Sequence, residues 1–217
     1  MITLVGTAFI DLNGYDRLTN ALGKLKPNII GIDFTEESYL EHISIVKQLI
    51  SPRGIEIIKH VTRSKIPNHN PQTIDMFLEN HSLNYIEKAV HDYSTKNNAT
   101  ILFCDNEDKK IFAKEYARNN RREILREIEK IFTLSPEEAV LYIEKEYYDK
   151  ENHPSAYKKL QTFFNKTADK HAEKILRQAE GNIVYVSSVD RVYGAYMPNI
   201  FDRMGDLNLG RVKLNDL

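Results

Sequence analysis

Cysteine and tryptophan are the residues that this chain has least of: there is one cysteine and no tryptophan. Cys104 has no second cysteine with which to form an internal disulfide, which is typical of a reducing compartment. It closes an apolar, strand-like run at residues 101–104, where we expect a buried thiol rather than a nucleophile. The sequence therefore excludes a disulfide-stapled scaffold and predicts a cytoplasmic protein.

The chain also lacks a long apolar run and an excess of either charge. No segment approaches the roughly 20 apolar residues that span a bilayer, and no basic region precedes the short apolar stretch at the start. Lys plus Arg number 30 and Asp plus Glu number 31, which argues against a main task of binding nucleic acid or an anionic membrane. Hydrophobic residues make up 41% of the 217 positions, enough for the core of one α/β domain over residues 1–217.

Residues 1–37 carry the clearest pattern, a strand, a loop, a helix and a second strand. An apolar run at 2–5 is followed by a helix that Asn13 can cap, with apolar positions recurring at three- and four-residue spacing. A second apolar run, at 29–32, stops at Asp33. Units of this length are right-handed crossovers between parallel strands, so the pattern predicts a parallel sheet.

Further strands are predicted at residues 55–58, 100–105 and 183–186, with amphipathic helices between them. The stretch 107–180 is almost entirely helical, which is more than a simple crossover needs. We therefore predict an α/β fold with a mainly parallel central sheet flanked by helices and a large helical insertion before the last strand.

Carboxylates follow the predicted strands. Asp33, Asp105 and Asp190 each follow a predicted strand, and Asp11 lies just past the first one; such strand ends share one edge of a parallel sheet. Converging carboxylates repel one another unless a hard cation such as Mg²⁺ or Mn²⁺ neutralises them or one stays protonated. One interpretation is a hydrolytic metal site. The other is that these aspartates cap helices and turns, as the polar stretch after Asp105 indicates.

Four short motifs occur in a recognisable order. The sequence reads GTAF at residues 6–9, KPNIIGIDF at 26–34, LFCD at 102–105 and SSVD at 187–190, with Gly194 beyond. This arrangement resembles the TraB/PrgY (pheromone-shutdown) family and the related Tiki metalloproteases, in which strands run into G-T-x-H and G-x-x-H-x-x-G motifs. The resemblance covers most of the chain. The ligand-binding positions that it implies are Gly6, Thr7, Phe9, Asp33, Asp105, Asp190 and Gly194. From the residues alone, Gly6-Thr7 predicts a tight turn, or less specifically backbone amides facing an anion.

The departures from that pattern concern the metal site. The two motif histidines correspond to Phe9 and Asp190, the strand-end glutamate to Asp33, and no arginine occupies the helix at 165–171 where the family has one. A phenyl ring offers a metal no lone pair, so we do not expect metalloprotease activity by the family's route.

Two functions follow from this sequence. The first is a divergent TraB-like domain without a cofactor that acts as a binding or regulatory module. The alternative is a hydrolase that holds Mg²⁺ or Mn²⁺ through Asp33, Asp105 and Asp190, so enzymatic activity stays open.

Two surface patterns bear on partners. Tyrosines at 142, 147, 148 and 157 surround a predicted helix break, which indicates either a homodimer contact or the packing of two adjoining helices. Arginines at 118–126 are interleaved with glutamates at helical spacing, which favours an ion-paired, solvated face over an RNA-binding one. Self-association is thus the predicted partnership, and the ligand, small molecule or peptide, is left open.

Overall fold

The architecture is an all-parallel sheet of five strands with helices on both faces. It is seen in a computed structural model that describes residues 1–8, 10–49, 51–80, 82, 84–105, 121–148, 169–193 and 199–217. The strand order is β3-β2-β4-β1-β5. The strands are β1 (Ile2–Thr7), β2 (Ile29–Ile32), β3 (Thr100–Phe103), β4 (Ile183–Ser188) and β5 (Leu209–Lys213). Because every pairing is parallel, all five strands end at one side of the sheet, the carboxyl edge.

Helices fill the connections between these strands. They are α1 (Gly14–Leu25), α2 (Glu36–Leu49), α3 (Pro52–Lys65), α4 (Pro71–Glu79), α5 (Tyr85–Asn97), α6 (Arg121–Thr133), α7 (Pro136–Ile143), α8 (Asp169–Gln178), α9 (Val189–Tyr193) and α10 (Ile200–Arg203). A π-helical turn, Glu144–Tyr148, continues α7, and a 3₁₀ turn, Leu214–Asp216, follows β5. Among the described helices, none has the length and apolar character needed to cross a membrane.

The sheet separates two apolar cores because neighbouring residues of a strand point to opposite faces. The larger core takes Val5, Ile32 and Val186 from the strands and packs them against α1, α4, α5 and α7. The smaller one takes Leu4 and Tyr185 and packs them against α8, α9 and α10. Both faces are therefore covered, as the near-continuous apolar strands predict.

The α/β fold and the helical region between β3 and β4 are confirmed. The described parts of that region, at 121–148 and 169–178, are helical. Ser135 begins α7 with the capping box that its sequence predicts: the Ser135 hydroxyl accepts from the Glu138 N–H (3.3 Å) and the Glu138 carboxylate accepts from the Ser135 N–H (2.9 Å). The remainder of the predicted insertion, including Arg118, lies outside the described residues.

The predicted strand at 55–58 is wrong, because this segment lies inside α3. Its run of isoleucines favours a strand locally, but Ser51 and Pro52 supply a helix start. The Ser51 hydroxyl accepts from the Gly54 N–H at 3.1 Å, and Pro52 occupies the first turn, where no amide hydrogen is needed. The capping geometry outweighs β propensity here.

Strand β5 was absent from the prediction. Its five residues, LGRVK, include two basic side chains and pair with β1 alone. A short, charged segment is what an edge strand tolerates, and it has little of the apolar periodicity by which strands are recognised.

Candidate functional site at the carboxyl edge

The structure brings four of the predicted site residues to the carboxyl edge. Gly6 and Thr7 are the last residues of β1, Asp33 follows β2 directly, and Asp105 lies two residues beyond β3. The predicted tight turn at Gly6-Thr7 is wrong, since both residues pair with β4 as strand. The Thr7 hydroxyl donates to the Ser187 carbonyl at 2.9 Å, so this side chain links two strands.

The side chains of the other three predicted residues are not described. Asp190 belongs to α9, which begins where β4 ends, and only its backbone is described. Phe9 and Gly194 lie outside the described residues. Their predicted roles in ligand binding stay predictions.

Asp33 is the centre of a buried polar cluster. The Tyr185 hydroxyl donates to its Oδ1 and the Ser187 hydroxyl to its Oδ2, while Nη1 of Arg191 lies 2.5 Å from Oδ1. Tyr185 and Ser187 are two positions apart on β4 and so share one face of the sheet. Gly31 leaves space for the Tyr185 ring, because a Cβ at position 31 would lie 2.9 Å from that ring. The Asp33 side chain is 15% exposed and is held from two elements.

Arg191 joins Asp33 to a second buried carboxylate. Its Nε and Nη2 each lie 2.6 Å from Oδ1 of Asp169, the first residue of α8. The side chains of Arg191 and Asp169 are 3% and 0% exposed. Carboxylates from β2 and α8 are thus bridged by one guanidinium from α9. We call Asp33, Asp169, Tyr185, Ser187 and Arg191 the Arg191 cluster.

The surroundings of the Arg191 cluster favour a charged guanidinium and a neutral Tyr185 phenol. Burial opposes the charge of Arg191, but Asp33 above all, with Tyr185, Asp169 and Asp105, raises the pKa of the guanidinium well above its usual value. Burial likewise raises the pKa of the Tyr185 phenol well above 10, so this hydroxyl remains a donor to Asp33 at neutral pH. The arrangement pairs one guanidinium with two carboxylates, through one hydrogen bond and two ion-pair contacts.

Cys104 borders the Arg191 cluster with a buried thiol. The side chain is fully buried, and burial, followed by the Asp33 charge, raises the pKa of the thiol to about 12. The predicted burial of Cys104 is confirmed, and the raised pKa disfavours the thiolate, which is the reactive form of cysteine.

A second polar cluster lies along the same edge, around Asp11. Its carboxylate accepts from the Tyr148 hydroxyl (2.7 Å), from the Asn13 N–H (2.9 Å) and from Nη1 of Arg17 (3.3 Å). Arg17 also reaches Glu144 at 2.6 Å. Tyr148 and Glu144 belong to the π-helical turn, a distortion that often marks functional sites. We call these residues the Asp11 cluster.

Tyr148, in the Asp11 cluster, is one of the tyrosines predicted to lie at a homodimer contact or between two adjoining helices. Tyr148 is 1% exposed and belongs to the larger apolar core, so its ring is not part of an exposed contact surface. The Tyr142 hydroxyl donates to Glu127 at 2.7 Å and its ring lies under the Lys130 ammonium. Tyr157 lies outside the described residues.

The described side chains fit a guanidinium better than a metal ion. Metal ligands must offer lone pairs to the cation, whereas both Asp33 oxygens accept from donors of the protein and face a fixed positive charge. Within the described part of the chain, no three His, Cys, Asp or Glu side chains are grouped so as to hold a metal.

Sequence reasoning missed the two residues that define the cluster, Arg191 and Asp169. The resemblance implies an arginine in the helix before the strand at 183–188, and that helix, α8, instead supplies Asp169. A signal was present: Arg191 stands between the apolar Val189 and Val192 directly after a buried strand, where a charged residue needs a buried partner.

No protein-family model, no curated protein and no solved structure matches this chain.

Proposed function

We propose that this chain is a divergent TraB-like domain that acts as a binding or regulatory module and has lost metalloprotease chemistry. The observation that carries the proposal is the state of Asp33. A carboxylate that accepts from Tyr185 and Ser187 and pairs with Arg191 has its charge and lone pairs engaged. A metal ion there would have to displace the guanidinium or bear its repulsion at close range.

The proposal extends to where and with what the module works. It is cytoplasmic, in keeping with the single buried cysteine, and it associates with itself. Ile57 and Val61, exposed one turn apart on α3, support a contact between copies. Light scattering during gel filtration measures this: a dimer that the Ile57→Ser/Val61→Ser variant loses supports it, and a monomer at all concentrations contradicts it.

A metal titration tests the loss of metalloprotease chemistry. Calorimetry with Mn²⁺, Co²⁺ and Zn²⁺ is expected to give no tight, stoichiometric binding to the wild type, and peptide substrates are expected to remain uncleaved with each metal. The matched control is Asp33→Asn, which should titrate like the wild type. Tight 1:1 binding that weakens in Asp33→Asn would place a metal at this edge and contradict the proposal.

One observation favours the alternative, a hydrolase that holds Mg²⁺ or Mn²⁺ through Asp33, Asp105 and Asp190. Carboxylates outnumber guanidinium groups among the described side chains here, since Asp105 adds its charge to those that raise the Arg191 pKa. This second candidate predicts Mg²⁺-dependent ester or phosphoester hydrolysis that Asp105→Asn abolishes. Hydrolysis that is unchanged in Asp105→Asn would exclude it.

A further inference from the structure

We infer that the guanidinium of Arg191 is the resident cation of the carboxyl edge: Asp33 and Asp169 form a cation-binding site that the chain fills with its own side chain. The inference rests on the proposed function and names the residue that gives this edge its specificity against metal ions. Arg191 is thus assigned as a specificity-determining residue rather than a catalytic one.

The geometry is that of a bound cation. Arg191 directs Nη1 to Asp33 at 2.5 Å and Nε and Nη2 to Asp169 at 2.6 Å. The Nε contact is a charge-assisted hydrogen bond, one of the strongest that side chains form, and the two Nη contacts are ion pairs at close range. The side chains of Asp169 and Arg191 are 0% and 3% exposed and that of Asp33 is 15% exposed, so water contributes nothing to the charge of Asp169 and little to that of Asp33.

The position of Arg191 is fixed by the fold. Helix α9 starts at the end of β4 and lies against β1, where a Cβ on Gly6 would stand 3.2 Å from the Val189 Cα. Val189 and Val192 are buried on either side of Arg191. The close approach that Gly6 permits therefore places α9 so that the guanidinium lies between the two carboxylates.

Truncating Arg191 should uncover the site. An Arg191→Ala variant keeps the Asp33 and Asp169 carboxylates but leaves a space of guanidinium size between them. We expect methylguanidinium, and secondarily Mn²⁺, to bind in that space and to stabilise the folded state by mass action.

The experiment compares thermal unfolding of the wild type and Arg191→Ala with and without millimolar methylguanidinium chloride or Mn²⁺. Arg191→Ala should unfold at a lower temperature and regain on the order of 5 °C with methylguanidinium at about 100 times its Kd, while the wild type should not shift. Arg191→Lys, which keeps a cation, should need no rescue.

Two control variants separate this site from general effects of the salt. Asp33→Asn/Arg191→Ala removes one wall of the site and should lose the rescue. Arg177→Ala removes an exposed guanidinium that pairs with Glu173 and Asp206, and methylguanidinium should not stabilise it. Where Arg191→Ala does not fold, the yield of refolding with methylguanidinium is the readout.

The outcomes are distinct from those of the proposed function. A folded Arg191→Ala that neither cation stabilises, a refolding yield that methylguanidinium leaves unchanged, or a rescue that survives Asp33→Asn overturns the inference about Arg191 alone. Tight metal binding by the wild type instead contradicts the proposed loss of metal chemistry.

Discussion

Asp33 and Asp11 lie along the same edge of the sheet, and their charges are balanced in two different ways. Asp33 faces Arg191, a cation that is itself buried. Asp11, only 1% exposed, relies on a phenol, a backbone N–H and Arg17, whose side chain is 21% exposed and lies 3.3 Å away. The first carboxylate is paired inside the protein, and the second is hydrogen-bonded inside it with its cation at the boundary with water.

The difference predicts how much stability each cluster loses when one interaction is removed. Removing one partner of a buried ion pair leaves an uncompensated charge and typically costs about 3–5 kcal/mol. Removing one hydrogen bond to a charged group costs about 1.5–3 kcal/mol, because the remaining donors still hold the carboxylate. A single substitution in the Arg191 cluster should therefore lower the free energy of unfolding more than the loss of a single hydrogen bond in the Asp11 cluster.

The largest predicted effect is in the Arg191 cluster. Asp169→Asn keeps the shape of the side chain but removes its charge, so that Arg191 loses one of its two buried counter-ions. We expect the free energy of unfolding to fall by about 3 kcal/mol, measured by urea denaturation. The matched control is Asp206→Asn, which breaks an exposed pair with Arg177 and should have little effect. Equal losses in the two variants would remove the distinction between buried and exposed pairs.

Much of the fold was readable from local pattern because the fold is built from local units. The strands β1, β2 and β4 are buried on both faces and hence largely apolar, and the helix-length connections between them indicate parallel pairing. Prediction failed at α3 and β5, where capping by Ser51 and pairing at the sheet edge decide the structure and apolar periodicity does not.

The site was less predictable for a physical reason. Asp33 and Thr7 could be placed at the carboxyl edge because strand ends follow from the strands themselves. Their partners could not, since Arg191 and Asp169 are separated from Asp33 by most of the chain and meet it only through packing of α8 and α9. Val189 and Val192 indicate that the segment around Arg191 is buried, but nothing in the local sequence identifies the carboxylate that Arg191 contacts.

The second prediction sharpens the comparison within the Asp11 cluster. Tyr148→Phe removes the hydroxyl that donates to Asp11 at 2.7 Å and should lower the free energy of unfolding by about 1.5 kcal/mol. A double-mutant cycle with Asp11→Asn should give a coupling energy of about 1 kcal/mol. Tyr142→Phe, which removes a bond to Glu127 nearer the surface, serves as the control. A coupling energy near zero would mean that Tyr148 stabilises the edge through its ring alone.

The smallest effect concerns another buried carboxylate, Glu87, whose counter-ion titrates. Nδ1 of His42 lies 2.6 Å from Oε1 of Glu87, and the His42 ring packs edge-on against Phe34, the residue after Asp33. The hydrogen bond with Glu87 raises the pKa of His42, against burial and with help from the charges of Glu87 and Glu41. A raised folded-state pKa means that this stabilisation is complete below the unfolded value of about 6.5 and is lost as pH rises through the higher folded value.

We expect the loss between pH 6 and pH 8.5 to stay below about 1 kcal/mol, because the His42 side chain is 42% exposed and water screens the pair. Urea unfolding across that range measures it. His42→Gln should flatten the fall in stability with pH, and His60→Gln, at an exposed position of α3, should leave it as in the wild type. An identical slope in wild type and His42→Gln would show that Glu87 gains nothing from the imidazolium. Asp33, Asp11 and Glu87 thus have three different kinds of partner. Asp33 pairs with a buried guanidinium that stays charged, and Asp11 has neutral donors together with a cation at the boundary with water. Glu87 pairs with an imidazole whose charge depends on pH.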